Sequence, residues 1–110
     1  MDSTTINEIL ESLKTTLGVT KEKDIAILTE ILNDVISEVK LRRRYPASMT
    51  EEQIDADLQK YIWVIKKVAG GRYDKLGASS EDGHSENGVN RTFTEEAKLL
   101  DGIVAFAALF

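Results

Sequence analysis

The sequence predicts an all-α fold, a four-helix domain with two long central helices and a long Gly-rich loop before the C-terminal helix. Three observations predict it. Apolar residues recur at helical spacing along most of the chain, start and stop signals bound these stretches, and five of the seven glycines lie within residues 70–90. A length of 110 residues fits a single domain, 1–110, because a second independent core would be very small.

The first predicted helix extends from about Thr5 to Leu17 and carries its apolar residues on one face. Thr5 and Glu8 have the spacing of a capping box, in which each side chain satisfies an unpaired amide of the first turn. Gly18 follows the last periodic residue, where a left-handed C-cap is favourable. A short amphipathic helix with a marked beginning and end is therefore expected.

The second predicted helix is long, from about Thr20 to Arg43, and an apolar stripe follows its whole length. Acidic residues lie near its start and a basic run lies at its end, which matches the helix dipole. Tyr45-Pro46 ends the helix because proline disfavours helical backbone at the preceding residue. At the usual rise per residue, such a helix is about 35 Å long.

The third predicted helix extends from about Glu51 to Arg72, and Thr50 with Gln53 forms a second capping box at its start. The segment 61–65 within this helix is apolar on every side. A helix that is apolar all round is buried on all sides. The segment therefore predicts either a central helix or a face that a partner covers.

The composition changes between Gly70 and Asn90, where glycine, serine and acidic residues are abundant. A connection of this length inside a compact domain is usually functional or disordered. Alternating apolar and polar residues at 89–93 follow Asn87-Gly88, a pattern that indicates a short strand or β-hairpin. The predicted loop covers residues 70–93.

The last predicted helix runs from about Thr94 to Phe110 and is apolar on more than one face after residue 103. Together with the segment 61–65, this exceeds the apolar surface that one small core covers. Exposed apolar patches of this kind mark protein–protein contacts. We therefore expect self-association or partner docking, and the candidate docking residues are Trp63, Phe106, Leu109 and Phe110.

The sequence offers no constellation for catalysis, metal binding or a cofactor. Its only histidine, His84, lies in the predicted loop, and the chain has no cysteine. Asp74, Glu81 and Asp82 do not follow the register of a calcium loop, and no Gly-Lys-Ser/Thr follows the glycines, as a phosphate loop requires. We expect a protein that is not an enzyme and needs no cofactor.

Composition also bears on location. The N-terminus has no basic region followed by an apolar run, and the lack of cysteine fits a reducing compartment. The longest apolar stretch, 102–110, is far short of the roughly 20 residues that span a bilayer. We expect a soluble, intracellular protein. A net charge of −5 argues against a general nucleic-acid coat but leaves room for a local basic patch.

The turn between the first two predicted helices allows an alternative function. Leu17-Gly18-Val19-Thr20 is similar to the turn of a helix-turn-helix DNA reader, although Lys14 stands where such motifs have a small residue. The alternatives are a small helical DNA-binding regulator that uses the turn at Gly18 and a helical hairpin with a glycine C-cap.

A basic run at the end of the second predicted helix concentrates positive charge in an acidic protein. The run can complement the helix dipole, or it can contact a phosphate backbone or an acidic partner. These alternatives stay open. The run consists of Lys40, Arg42, Arg43 and Arg44.

The order of motifs along the chain is similar to that of a known family. Leu17-Gly18-Val19 precedes a long amphipathic helix, a second long helix leads into the segment 71–78, and Ser85-Glu86-Asn87-Gly88 precedes Arg91-Thr92-Phe93. This arrangement resembles the head–tail connector (head completion) proteins of tailed bacteriophages and prophages, which are portal-adjacent, ring-forming adaptors.

The resemblance implies a helical domain that carries a long loop or hairpin and assembles into a ring of about twelve copies. Such a ring docks under the portal protein, extends the DNA channel and supports a downstream head–tail completion or tail protein. DNA passes through it without specific binding, and no membrane is involved. The resemblance further implies assembly in the host bacterial cytoplasm and a final location at the head–tail junction of the virion.

Site residues follow from the resemblance as well. The apolar C-terminal helix is expected to dock on the portal, and the basic run is expected at the DNA channel or at an acidic partner. Loop residues that match the family pattern are expected at the subunit contact, where glycines allow close approach of a neighbouring backbone. They are Gly71, Arg72, Tyr73, Gly77, Ser85, Glu86, Asn87, Gly88 and Phe93.

Overall fold

A computed structural model of the protein describes residues 1–80 and 96–105, with side chains described over 1–76 and 96–105. All regular secondary structure in these ranges is helical, so the all-α prediction is confirmed. The helices are α1 (Ser3–Leu17), α2 (Glu22–Arg43), α3 (Glu51–Leu58), α4 (Ile62–Ser80) and α5, whose described part spans residues 96–101.

The core lies where α2 packs against α4, and α1 packs against both. Helix α2 contributes a continuous apolar stripe, as its sequence predicts, and α4 faces it with Ile65, Val68 and Ala69. Leu100 and Ile103 close the core from the C-terminal side. The fully buried α2 residues are Leu28, Leu32, Val35 and Val39. Among the residues described, no helix has both the length and the apolar character needed to span a membrane.

The start of α1 differs from the expected capping box. The helix begins at Ser3, and the Asp2 carboxylate accepts a hydrogen bond of 2.8 Å from the Thr5 amide. The predicted box of Thr5 with Glu8 is therefore wrong, because a charged acceptor three residues earlier already satisfies that end of the helix. The other end agrees with the prediction: Gly18 is the C-cap, with φ of 70°.

The third predicted helix is two helices. Helix α3 ends at Leu58, a 3₁₀ turn covers Gln59–Tyr61, and α4 begins at Ile62. The capping box at its start is confirmed: the Gln53 amide donates to Thr50 Oγ1 at 3.2 Å, and the Thr50 amide donates to Gln53 Oε1 at 2.9 Å.

The predicted loop does not begin at residue 70. Residues 70–80 belong to α4, so the expectation that Gly70, Gly71 and Gly77 open a loop is wrong. Glycine costs only about 1 kcal/mol in a helix interior, and the contacts of Arg72 and Tyr73 with the rest of the domain offset that cost. The rest of the predicted loop and the predicted strand at 89–93 lie outside the described residues.

The predicted C-terminal helix is also shorter than expected. Helix α5 ends at residue 101, Gly102 forms a turn, and 103–105 have no regular secondary structure, so a continuous helix to Phe110 is wrong over this stretch. Arginine side chains of α2 bind the carbonyl oxygens of Leu100 and Val104. In a longer helix these carbonyl oxygens would accept hydrogen bonds from amides of the same helix. Residues 106–110 lie outside the described ranges.

Candidate functional site

A buried charge pair joins the end of α2 to α3. Arg43 donates from Nε to Asp57 Oδ2 at 2.8 Å and from Nη2 to Asp57 Oδ1 at 2.9 Å, and both side chains are only 4% exposed. The Tyr45 hydroxyl donates to Asp57 Oδ2 at 2.6 Å, and the guanidinium lies 5.2 Å from the ring centroid of Tyr61. The structure therefore places Arg43 in the interior, which corrects its assignment to the predicted DNA or partner contact.

The protonation of this cluster follows from its environment. Burial alone would raise the pKa of Asp57, but hydrogen bonds from Arg43 and Tyr45 bring the pKa below its ordinary value. Burial and the hydrogen bond to Asp57 raise the pKa of the Tyr45 hydroxyl. Asp57 is therefore the anion and Tyr45 a neutral donor over the whole physiological range.

The remaining basic residues at the end of α2 have two different roles. Arg42 donates from Nη1 to the Leu100 carbonyl oxygen at 3.2 Å and lies 3.8 Å from carboxylates of Glu38 and Asp101, so it holds the C-terminal segment. Lys40 and Arg44 are exposed. Of the four basic residues expected at a DNA or partner contact, these two have exposed side chains.

Exposed apolar side chains accompany these two cations. Leu41, between them in sequence, is 75% exposed, and Val104 is 50% exposed. A shallow pocket lies beside Leu41, and Arg44, Ile103 and Ala105 contribute to its wall. The end of α2 therefore carries both positive charge and apolar surface.

Arg72, which the resemblance places at a subunit contact, joins three helices within one chain. Its Nη2 donates to Glu38 Oε2 of α2 at 2.7 Å, and its Nε donates to Glu96 Oε1 of α5 at 3.0 Å. Burial would lower the pKa of Arg72, but the two carboxylates raise it. Tyr73, its neighbour, packs against the core.

A groove lies along α4 between α1 and the described part of α5. Trp63 is 60% exposed, so the alternative of a central helix buried on all sides is wrong at this residue, and a face that a partner covers stays a prediction. The groove has a volume of about 400 Å³, and its walls include Leu13 and Leu17 of α1 and Leu99 of α5. Lys67 places its ammonium 5.8 Å from the centroid of the Trp63 ring.

The groove brings together two of the predicted site residues, Trp63 and Gly71. The sequence reasoning missed Lys66, Lys67 and Gly70, which line it with them. Their spacing would place Lys66, Lys67 and Gly70 on one face of a helix. This spacing was not used, because the loop was expected to begin at residue 70. The other predicted contact residues lie outside the described side chains: Gly77, Ser85, Glu86, Asn87, Gly88, Phe93, Phe106, Leu109 and Phe110.

The described part of the chain holds no group of three or more histidine, cysteine or acidic residues that could bind a metal ion. The turn at Gly18 is a helix C-cap, and the first turn of the following helix carries Glu22 and Asp24, which repel phosphate. This turn therefore gives no support to the alternative of a DNA-binding regulator. The described surfaces are instead a groove and a helix end with apolar and charged side chains, which are features of a protein that contacts other macromolecules.

A comparison with protein families agrees with this class. The family model described as "Phage gp6-like head-tail connector protein" matches residues 7–103, which is most of the chain. The protein therefore belongs to this family of phage structural proteins, and the resemblance noted in its motifs is confirmed. No significant match was found among curated proteins or among solved structures.

Proposed function

We propose that this head–tail connector protein assembles into a ring at the head–tail junction of a phage, docks under the portal, extends the DNA channel and supports tail attachment. The family match over residues 7–103 carries the proposal. The proposed role is assembly rather than catalysis. The protein would join the particle in the bacterial cytoplasm and remain in the virion.

The described surface supports a role in assembly. Single exposed apolar residues are normal on a monomer, but Trp63 sits in a groove beside lysines, and Leu41 stands between exposed cations. A ring of about twelve copies needs two different surfaces on each subunit, because its contacts are heterologous. Further surface is needed for the portal and for the downstream completion or tail protein.

The net charge also suits a channel for DNA. Each phosphate that a protein neutralises adds salt-dependent affinity, so a wall rich in cations would hold the passing duplex. The chain carries a net charge of −5, and two of its basic-run residues, Arg42 and Arg43, are engaged inside the subunit. Lys40 and Arg44 are then the residues of the run that can meet the channel or an acidic partner.

Sedimentation velocity over a concentration series tests the ring, first with the protein alone and then with its cognate portal protein. We expect a closed oligomer of defined mass in at least the mixture. Electron microscopy of the same sample should show the oligomer coaxial with the portal. A chain that stays monomeric in both experiments would contradict the proposal.

A further inference from the structure

We propose that the groove on α4 receives the outer face of α2 from a neighbouring copy of the same chain. The inference rests on the proposed ring and identifies the two surfaces that would meet in it. The α4 groove is the surface around Trp63, Lys66, Lys67, Gly70, Gly71 and Asp74. The α2 ridge is the exposed stripe formed by Lys23, Ile27, Glu30 and Asp34.

The two surfaces lie on opposite sides of the subunit. Helix α4 turns Ile65, Val68 and Ala69 towards α2, and its groove residues occupy the other face of the same helix. Helix α2 buries its apolar stripe against α4, and its ridge points away from that stripe. One copy can therefore offer its ridge to a neighbour while its own groove accepts the ridge of another. Such a contact is heterologous and can close into a ring.

The spacing of the two stripes matches. Along α4, Trp63, Lys67, Gly70 and Asp74 follow one another at intervals of four, three and four residues. The ridge residues of α2 repeat the same intervals. Because both helices have the same rise and pitch, the two stripes stay in register over about three turns. The intervals read the same in both directions, so parallel and antiparallel docking are both possible by spacing alone.

Charge distinguishes the two directions. Antiparallel docking sets Lys67 opposite Glu30 and Asp74 opposite Lys23. Parallel docking sets Asp74 opposite Asp34, and like charges in contact oppose association. Glu30 and Asp34 form no salt bridge within the described part of their own chain, so both carboxylates are available to a neighbour. The antiparallel direction pairs opposite charges at two positions, sets Asp34 opposite Trp63 and brings no like charges together.

Shape agrees with the antiparallel direction. It brings Ile27, the apolar member of the ridge, over Gly70 on the groove floor. The two adjacent glycines of α4 have no side chains of their own there, and the apolar Leu13 of α1 lies beside Gly70. A neighbouring helix can approach closely at such a position. Ile27 is 36% exposed in the single subunit and gains cover in this arrangement.

Engineered disulfides test the contact directly, because the natural chain has no cysteine. The full-length double variant Ile27→Cys with Gly70→Cys is oxidised and run on a non-reducing gel. A Cβ at Gly70 meets only the Leu13 side chain, at 3.8 Å, so the helix accommodates the change. The two sites lie on opposite sides of one subunit and cannot join within it. We therefore expect a ladder of dimers, trimers and larger species.

Two controls make the ladder specific. Each single-cysteine variant can give dimers at most. The matched control pairs Ile27→Cys with Ala56→Cys, an exposed position on α3 outside the groove, and should give at least tenfold less of the larger species. A ladder of equal strength in this control, or no ladder in the Ile27–Gly70 pair, would overturn the assignment.

A charge swap gives a second readout that needs no cysteine. Lys67→Glu alone and Glu30→Lys alone should each weaken self-association about tenfold, and the double swap should recover it to within about twofold. Equal weakening in the double swap would count against the pairing.

If the natural chain forms its oligomer but neither experiment gives the expected result, the proposed ring is retained and the assignment of the groove is rejected. A chain that is monomeric alone and with its portal removes the ring itself.

Discussion

Arg43 and Asp57, fourteen residues apart, meet in the interior through two parallel hydrogen bonds between guanidinium and carboxylate. The pair fixes the end of α2 against α3, and the remaining amino nitrogen of Arg43 donates to the Val104 carbonyl oxygen at 2.9 Å. One side chain thus connects three parts of the chain. Removing either charge leaves the other buried without its partner. The free energy lost in this way is far larger than the net stabilisation that the intact pair provides.

Asp57→Ala should lower the free energy of unfolding by about 3–5 kcal/mol, because Arg43 stays buried without a counterion. Chemical denaturation followed by circular dichroism measures the loss. Lys60→Ala is the matched control, because this lysine lies near the same carboxylate but is 73% exposed, and its loss should cost less than about 1 kcal/mol. Similar losses in the two variants would show that the buried pair is not the source of the effect.

Stability should fall in acid through the same carboxylate. The pKa of Asp57 in the folded protein lies below its ordinary value, so the unfolded chain takes up a proton first. The stabilisation is complete above the unfolded pKa of about 3.9 and is lost as the pH falls through the lower, folded pKa. Urea midpoints measured between neutral and strongly acidic pH should decline below about pH 4. Asp57→Asn should be less stable at neutral pH and show a shallower acid decline. An unchanged slope would contradict the assignment.

Arg72→Ala should loosen α5 more than the rest of the domain, because the guanidinium joins Glu96 to Glu38. The side chain is partly exposed, so the loss of stability should be about 1–2 kcal/mol after allowance for solvent screening. Hydrogen exchange should accelerate over residues 96–101 before it does over α2. Arg72→Lys keeps the charge but reaches only one carboxylate well, and an intermediate effect is expected. Uniform acceleration along the chain would argue against a local role.

Gly18→Ala should destabilise the protein by about 1 kcal/mol through the backbone alone. Gly18 has φ of 70°, and a Cβ there would meet nothing within 4 Å, so no steric contact confounds the result. Thermal or chemical unfolding measures the change. Gly18→Asn is the control, since asparagine tolerates this conformation, and it should lose less than the alanine variant. If the two are equally stable, the strain argument fails.

Local signals predicted much of this fold. The cap at Gly18, the capping box at Thr50 and the end of α2 before Pro46 each depend on a few neighbouring residues, and the structure agrees with them. One error is local, because Asp2 caps α1 in place of the predicted box at Thr5. The error in the length of α4 arises where distant contacts decide the structure. Helix α4 continues through its glycines because Arg72 finds carboxylates on two other helices, and no local pattern reports those partners.

The candidate site also combines features that local sequence signals predict with features that depend on distant contacts. Arg43 stands in a run of basic residues that is typical of a surface, and its burial depends on Asp57 in another helix. A signal was available, because Asp57 directly precedes the buried Leu58 and lies on the inward side of α3. The spacing of Trp63 and Lys67 in the sequence indicates that they lie on one face of a helix. The walls of the groove come from α1 and α5, so the groove itself can be recognised only in the tertiary fold.

Arg42 and Arg43 donate hydrogen bonds to the carbonyl oxygens of Leu100 and Val104, and Arg42 also lies 3.8 Å from the Asp101 carboxylate. Every amino acid supplies the same carbonyl group, so these two hydrogen bonds do not depend on which side chains stand at positions 100 and 104. In related chains we expect the exposed positions 102 and 104 to vary freely while the two arginines persist. The segment that leads to the chain's end can thus be adapted to different neighbours without redesigning its anchor.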